Sequence, residues 1–271
     1  MPSAITPASV LRDVPGWEGA LASELHGGLS NRSYKVTAGG RSGVLKIDDA
    51  PRRAPFNTRA AEARIQTAAA DAGLAARVLY SDERVYLTEF LEGEVWQRQS
   101  LDVSGNLKKL AAGLERIHAL PLTGRTFDAL DAARRYAQIS CEVDPKLTHY
   151  CSETIAAVGK PVDLRCCHND LVVENVIDMS ETKFLDWEFA CDNDPLFDLA
   201  TVVEHHQLSG EQTGALLSAY AATGETLSTD QFDRQRKLYL ALLWLWMAAR
   251  RNTDSDELER VAERLMAAGH S

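Results

Sequence analysis

Residues 167–175 read Cys167-His168-Asn169-Asp170-Leu171-Val172-Val173-Glu174-Asn175, and eleven residues later Phe184-Leu185-Asp186-Trp187-Glu188 again sets a carboxylate among apolar neighbours. The polar skeleton is His-x-Asp-x-x-x-x-Asn followed by a second Asp. Apolar flanks put each carboxylate at a strand end or in a loop between short strands. Such a set suits phosphoryl transfer. One Asp (Asp170) accepts the proton of an attacking hydroxyl, while an Asn (Asn175) and the second Asp (Asp186) hold magnesium against nucleotide phosphates. Magnesium favours hard oxygen ligands, which Asn and Asp supply.

Working outward, the N-terminal third reads as strand-rich. Strands are expected at Ala22–Gly27, Arg32–Thr37 and Ser42–Ile47, separated by Gly27-Gly28 and Gly39-Gly40, which gives an antiparallel meander. Lys46 is the one basic residue in Val44-Leu45-Lys46-Ile47. Thr58 caps an alanine-rich helix over 60–72 that carries Glu62, and Gly73 stops it. A strand Lys paired with a helix Glu is a device for holding α- and β-phosphates. In the turn Gly27-Gly28-Leu29-Ser30-Asn31, backbone N–H groups and the Ser30 hydroxyl can approach the same phosphates. Two more strands, Ala76–Ser81 and Val85–Phe90, lead to the connector Leu91-Glu92-Gly93-Glu94.

Beyond the connector the period changes to helical. Leu107, Leu110, Ala111, Leu114 and Ile117 share one face of a helix over Asn106–Leu120. Further helices are expected at Phe127–Ser140, Leu147–Val158, Leu196–Gln207, Glu211–Ala222, Asp230–Arg250 and Ser255–Ala268, interrupted by a β-rich stretch over Arg165–Asp186. The expected fold class is α+β, with a β-rich lobe over residues 1–91 and a larger, mainly helical lobe over 92–271.

The whole-chain quantities exclude several classes. The 271 residues are enough for a substantial core, and 45% hydrophobic with 25% charged is ordinary for a globular protein. The formal charge, 29 − 39 = −10, repels phosphate backbones and argues against general nucleic-acid binding. No apolar run reaches the roughly 20 residues of a membrane span. The first residues lack the basic and apolar regions of a signal peptide. Five cysteines, an odd count without a CxxC pair, fit free thiols in a reducing cytoplasm.

With these pieces in order, the chain resembles the choline/ethanolamine kinase branch of the aminoglycoside-phosphotransferase superfamily, with bacterial thiamine kinases close by. The matching segments are 27–31, 44–47, Glu62, Ile117-His118-Ala119-Leu120-Pro121, His168 through Asn175, Asp186-Trp187-Glu188-Phe189-Ala190, Asn193-Asp194-Pro195 and Asp198-Leu199-Ala200. They span roughly residues 20 to 250. The resemblance implies a two-lobed protein-kinase-like fold with ATP and magnesium in the cleft between the lobes. It implies Glu89, Phe90 and Leu91 at an adenine-binding hinge, Asp170 as base, Asn175 and Asp186 as magnesium ligands, and Glu188 on the substrate side or just behind it. Gly28, Ser30, Asn31, Lys46 and Glu62 are the expected phosphate-side residues. The acceptor is expected to be the primary hydroxyl of a cationic amino-alcohol, choline or ethanolamine. Thiamine, a sugar or an aminoglycoside, or a catalytically inactive binding module, stand as alternatives. Both a monomer and a homodimer remain open.

For the cationic end of that acceptor the candidates are Glu204, read equally as an exposed helix acid, and the aromatic set Tyr239, Trp244 and Trp246, most of which is expected to pack in the core of a long hydrophobic helix. Indole faces attract quaternary ammonium groups. Related kinases place such tryptophans three residues apart. Here the spacing is two, so at most one of Trp244 and Trp246 faces a pocket. His168 is expected to brace its loop, His118 to be structural and Asp198 to brace the loop that carries Asp186. Cys166 and Cys167 are expected to pack in a buried strand. His205 and His206, adjacent on a helix, point in different directions and do not make a metal pair.

Overall fold

The computed structural model describes residues 6–25, 32–50, 52, 58–103, 105–161, 163–222, 224, 227–250 and 253–268. Gly28, Ser30 and Asn31 lie outside these residues. The chain divides into two compact units, Met1–Trp96 with Glu174–Ala190, and Gln97–Val173 with Cys191–Ser271. This differs from the continuous cut after residue 91. The stretch carrying Asn175 and Asp186 returns to the first unit through main-chain pairing described below.

The first unit is built on a five-stranded antiparallel sheet in the order β1-β2-β3-β5-β4. Its strands are β1 (Leu21–Leu25), β2 (Arg32–Ala38), β3 (Arg41–Ile47), β4 (Val78–Ser81) and β5 (Val85–Glu89). The first three form the expected meander. Side chains alternate across a strand, so Leu45 and Ile47 of β3 face one way and Lys46 the other. The apolar face packs Val36, Leu45, Ile47, Val85 and Leu87 against Leu11, Val14 and Trp17. Leu11 ends a short helix, α1 (Pro7–Leu11), which the sequence reading did not anticipate because five residues carry too little periodicity. On the Lys46 side lies α2 (Arg59–Asp71), capped by the Thr58 side chain accepting from the Ala61 N–H at 3.2 Å.

A second ladder closes this unit. β6 (Glu94–Val95) pairs with β8 (Val176–Asp178), which pairs with β9 (Lys183–Phe184). Gly93 permits the approach. A Cβ there would sit 2.6 Å from the Asp178 carbonyl oxygen. The Phe184 N–H donates to the Leu74 carbonyl at 2.7 Å and Lys183 Nζ to the Gly73 carbonyl at 2.7 Å, so β9 is tied to the end of α2.

The second unit is helical: α3 (Asn106–His118), α4 (Ala129–Ser140), α5 (Pro145–Val158), α6 (Pro195–His205), α7 (Gly210–Ala221), α8 (Thr229–Ala248) and α9 (Ser255–Ala267). A two-stranded ladder of β7 (Arg165–Cys167) and β10 (Cys191–Asn193) completes it. α8 is buried on several faces. Leu238 through Leu242, Trp244, Leu245, Met247 and Ala248 are all sequestered with Phe197, Ile155 and Leu265. That corrects the expectation for Trp244, which is 1% exposed and belongs to this core. Trp244→Ala is therefore expected to destabilise the protein by about 3–5 kcal/mol in urea unfolding. Trp246→Ala, at a half-buried position, is expected to cost clearly less.

Candidate active site

In the first unit the Lys46 Nζ donates to Asp186 Oδ1 at 2.8 Å. Asp186 follows β9 in the left-handed region, φ 58 and ψ 66. Asp tolerates that region better than most residues, yet holding it there still costs roughly 1–3 kcal/mol. The preceding residue, Leu185, donates its N–H to the Asn175 carbonyl at 2.8 Å, so the backbones at Asn175 and Asp186 run side by side. Burial works to lower the Lys46 pKa, but the charges of Asp186, Glu62 and Glu188 outweigh it and hold the ammonium above its ordinary value.

The expected direct pairing of Lys46 with Glu62 is not what the structure shows. Glu62 Oε2 accepts from Arg59 Nη1 at 2.7 Å and lies 3.8 Å from Arg52 Nη1. Arg59 sits three residues earlier on the same helical face and reaches Glu62 locally, while Lys46 takes Asp186. Glu62 Oε1 is buried and has no hydrogen-bond partner among the described residues. Burial raises the Glu62 pKa, opposed chiefly by Lys46 and Arg59. Glu188 is also buried and pairs with Arg52 Nη2 at 2.8 Å, the same guanidinium that approaches Glu62.

The hinge residues are partly committed. Glu89, the last residue of β5, forms an exposed ion pair with Arg77. The Phe90 N–H donates to the Ser42 carbonyl at 3.1 Å, so it is not available to an adenine. The Phe90 ring lies 3.8 Å from the Lys35 ammonium. Leu91 begins the connector and is half-buried.

In the second unit Asp170 follows a loop fixed by Asp198. The His168 N–H donates to Asp198 Oδ2 at 2.8 Å and the Asn169 N–H to Oδ1 at 2.7 Å. His118 Nε2 lies 3.2 Å from Oδ2, and its Nδ1 lies 2.7 Å from the Tyr220 hydroxyl. Asp198 therefore braces the loop bearing Asp170, not the one bearing Asp186 as expected. Asn169 is left-handed at φ 62. Its amide donates to the carbonyls of Cys167 and Cys191, both at 3.3 Å, and its Oδ1 accepts from Asn193 Nδ2 at 2.7 Å. These contacts offset the cost of the backbone conformation and hold Asp170 half-buried at the loop's end. The bracing contacts of Asn169 and Asn193 carry no local sequence signal, although both residues stand in matched segments. The thiols of Cys166 and Cys191 are pushed up to about 12 by burial, which keeps them neutral packing groups.

The expected cation-binding set does not assemble. Glu204 is 4% exposed and is shared by Arg236 and Arg264, whose two positive charges leave it no attraction to spare for a cationic substrate. The Trp246 ring is covered by the Arg250 guanidinium, 4.4 Å from its centroid. Tyr239 feels the charge of Asp170. Burial raises its phenol pKa, and the Asp170 charge raises it further. Its hydroxyl meets His205 Nδ1 at 3.1 Å. Against the expectation that the two histidines diverge, the His206 ring packs edge-on against His205 with centroids 4.7 Å apart, and its Nε2 accepts the Val173 N–H at 3.1 Å.

The donor set near Asp186 fits a magnesium ion. An amide oxygen and a carboxylate, both half-buried, are hard ligands, and magnesium needs only one or two carboxylates beside phosphate oxygens and water. The buried trio His118, Cys167 and Asp198 has a different chemistry, since both Asp198 oxygens already accept backbone N–H groups.

The model of the APH family, the phosphotransferase enzyme family, matches residues 22–238. The chain belongs to this family. It is 31% identical over 210 residues to protein LicA of Haemophilus influenzae, covering 72% of this chain and 61% of that protein. The fold is protein-kinase-like. It resembles choline kinase LicA from Streptococcus pneumoniae at a TM-score of 0.78, 21% identity, 92% of this chain and 93% of that one. A choline/ethanolamine kinase family protein from Mesorhizobium loti gives 0.74, 21%, 97% and 94%. Among the described residues no helix is long and apolar enough to cross a membrane.

The His206 contact sets a pH dependence. Burial, with the charge of neighbouring His205, lowers its pKa to about 3 against an ordinary 6.5. Between those values the unfolded chain binds a proton that the folded one refuses, so stability is complete above pH 6.5 and falls as pH drops towards 3. The loss at pH 5 from this group is expected to be about 2 kcal/mol. Urea midpoints at pH 7.5 and 5.0 are expected to lie closer together in His206→Gln than in the unsubstituted protein.

Proposed function

We propose that this chain is an ATP-dependent small-molecule kinase that phosphorylates the primary hydroxyl of an amino-alcohol, choline or ethanolamine. The observation that carries the reading is the Lys46–Asp186 pair. It joins a strand lysine to the second Asp of the motif across 140 residues of sequence, in a chain whose family is that of phosphotransferases. Asp170 receives the hydroxyl proton as that oxygen attacks the γ-phosphorus. The bond from phosphorus to the β–γ bridging oxygen breaks and ADP leaves. Lys46 steadies the α- and β-phosphates. Asn175 and Asp186 are the residues that would hold magnesium, which supplies neutralisation of phosphate charge. Catalysis on this reading is chiefly positioning and charge stabilisation.

The amino-alcohol assignment draws on the likeness to LicA proteins, since the tryptophan pair does not supply it. Tyr239, close enough to feel Asp170, is the proposed aromatic beside the acceptor. The neutralisation of Glu204 by two arginines counts against acceptors bearing several positive charges, such as aminoglycosides, and favours a single ammonium.

Asp170→Ala is expected to abolish turnover while largely sparing ATP binding. Asp186→Ala is expected to lose magnesium-dependent nucleotide binding. A coupled ADP-release assay across choline, ethanolamine, thiamine and kanamycin identifies the acceptor. Release with none of the four would overturn the amino-alcohol reading, and full activity in Asp170→Ala would remove the base assignment.

A further inference from the structure

Arg59 is an arginine with every guanidinium nitrogen engaged and its side chain 0% exposed. Nε and Nη2 grip the two oxygens of Asp48 at 2.8 and 2.9 Å, and Nη1 donates to Glu62 at 2.7 Å. Asp48 is two residues beyond Lys46. It is itself pinned, because its N–H donates to the Arg84 carbonyl at 2.8 Å and its own carbonyl accepts from the Arg84 guanidinium at 2.9 Å. The Arg59 guanidinium also lies 5.3 Å from the centre of the Tyr86 ring. Tyr86 is the residue opposite Lys46 in the β3–β5 register, and its hydroxyl donates to Gln66 of α2 at 3.0 Å. The guanidinium thus ties the end of the lysine's strand to the glutamate's helix, beneath the residue beside the lysine.

A second consequence concerns the two oxygens of Glu62. Arg59 occupies Oε2, and Oε1 is left buried without a hydrogen-bond partner among the described residues. A buried carboxylate oxygen with no donor is costly, and Lys46 is the cation whose charge most favours the ionised Glu62. Lys46 stands on Asp186, and Glu62 is the next carboxylate whose charge it feels.

We propose that Arg59 is a positioning residue for phosphate binding: by clamping Asp48 to Glu62 it fixes the spacing between the Lys46 strand and α2 and presents Glu62 Oε1 as the second seat of the Lys46 ammonium. The proposal rests on the kinase reading above. Were Asp186 to hold a metal ion, Glu62 would retain the lysine and keep its reach to the phosphates. A lysine at position 59 carries the charge but cannot span both carboxylates, because one ammonium lacks the guanidinium fork.

The test is a double-mutant cycle in the ADP-release assay with the best acceptor of the panel. Arg59→Lys is expected to lower kcat/KM for ATP at least tenfold, with the KM of the acceptor unchanged within twofold. In a Lys46→Met background the same substitution is expected to change kcat/KM for ATP less than twofold, since the residue it acts through is gone. Equal losses in both backgrounds, or a lowered melting temperature with kcat/KM unchanged, would overturn the proposal. Asp48→Asn, which releases one end of the clamp and keeps its shape, serves if Arg59→Lys does not fold. It is expected to show the same dependence on Lys46, and an unchanged kcat/KM for ATP would count against the idea. Binding of magnesium–trinitrophenyl-ATP to the unsubstituted protein is measured alongside. Its absence would overturn the kinase reading itself, and the proposal with it, a result distinct from a failed cycle in a protein that binds the analogue.

Discussion

The contact between the Lys46 ammonium and the Asp186 carboxylate organises the first unit. It is a partly buried ion pair, and such a pair is kept only where surrounding groups repay the loss of water. Here they do so in a chain of charges. Asp186 faces Lys46, Lys46 feels Glu62, Glu62 is held by Arg59 and approached by Arg52, and these arginines hold Asp48 and Glu188. The main chain follows the charges. The return of residues 174–190 to the unit built from residues 1–96 brings Asp186 to the strand of Lys46, with the β6–β8–β9 ladder as its mechanical support.

The second unit solves a similar problem with backbone donors and an imidazole. Asp198, fully buried, takes two backbone N–H groups and meets one imidazole, and that organises the turn in front of Asp170. Two left-handed non-glycine residues, Asn169 and Asp186, lie at or beside the two motif carboxylates. Strained backbone at such positions persists where neighbours over-determine it, and here the neighbours are visible as the Asn169 amide contacts and the Lys46 pair. A division by burial follows. Glu188, Glu204 and Asp198 are sequestered and committed to the protein's own donors, Glu62 is sequestered with one oxygen so committed, and Asp170, Asn175 and Asp186 stay half-buried.

Much of the fold was legible along the chain. The period-2 alternation of 44–47, the alanine-rich run after Thr58, the i, i+3, i+4 pattern of 106–120 and the glycine and proline stops gave the strands and helices to within a few residues. The short α1 and the two-residue β6 were not, since neither is long enough to show a period. In the site, residue types and order pointed to Lys46, Asp170, Asn175 and Asp186. The partners were another matter. Glu62 was expected on Lys46 and is held by Arg59, Asp198 was expected behind Asp186 and stands behind Asp170, and Trp244, one of two candidates for a pocket face, lies in the core around α8.

By itself, then, the sequence determined where the longer strands and helices lie and which residue types suit phosphate chemistry, because periodicity, capping and ligand type act over a few neighbouring residues. Only the tertiary structure decided which charge meets which. Counter-ion choice depends on distances between segments far apart in the chain, and on burial, which makes a nearby arginine decisive for Glu204, Glu188 and Glu62 alike.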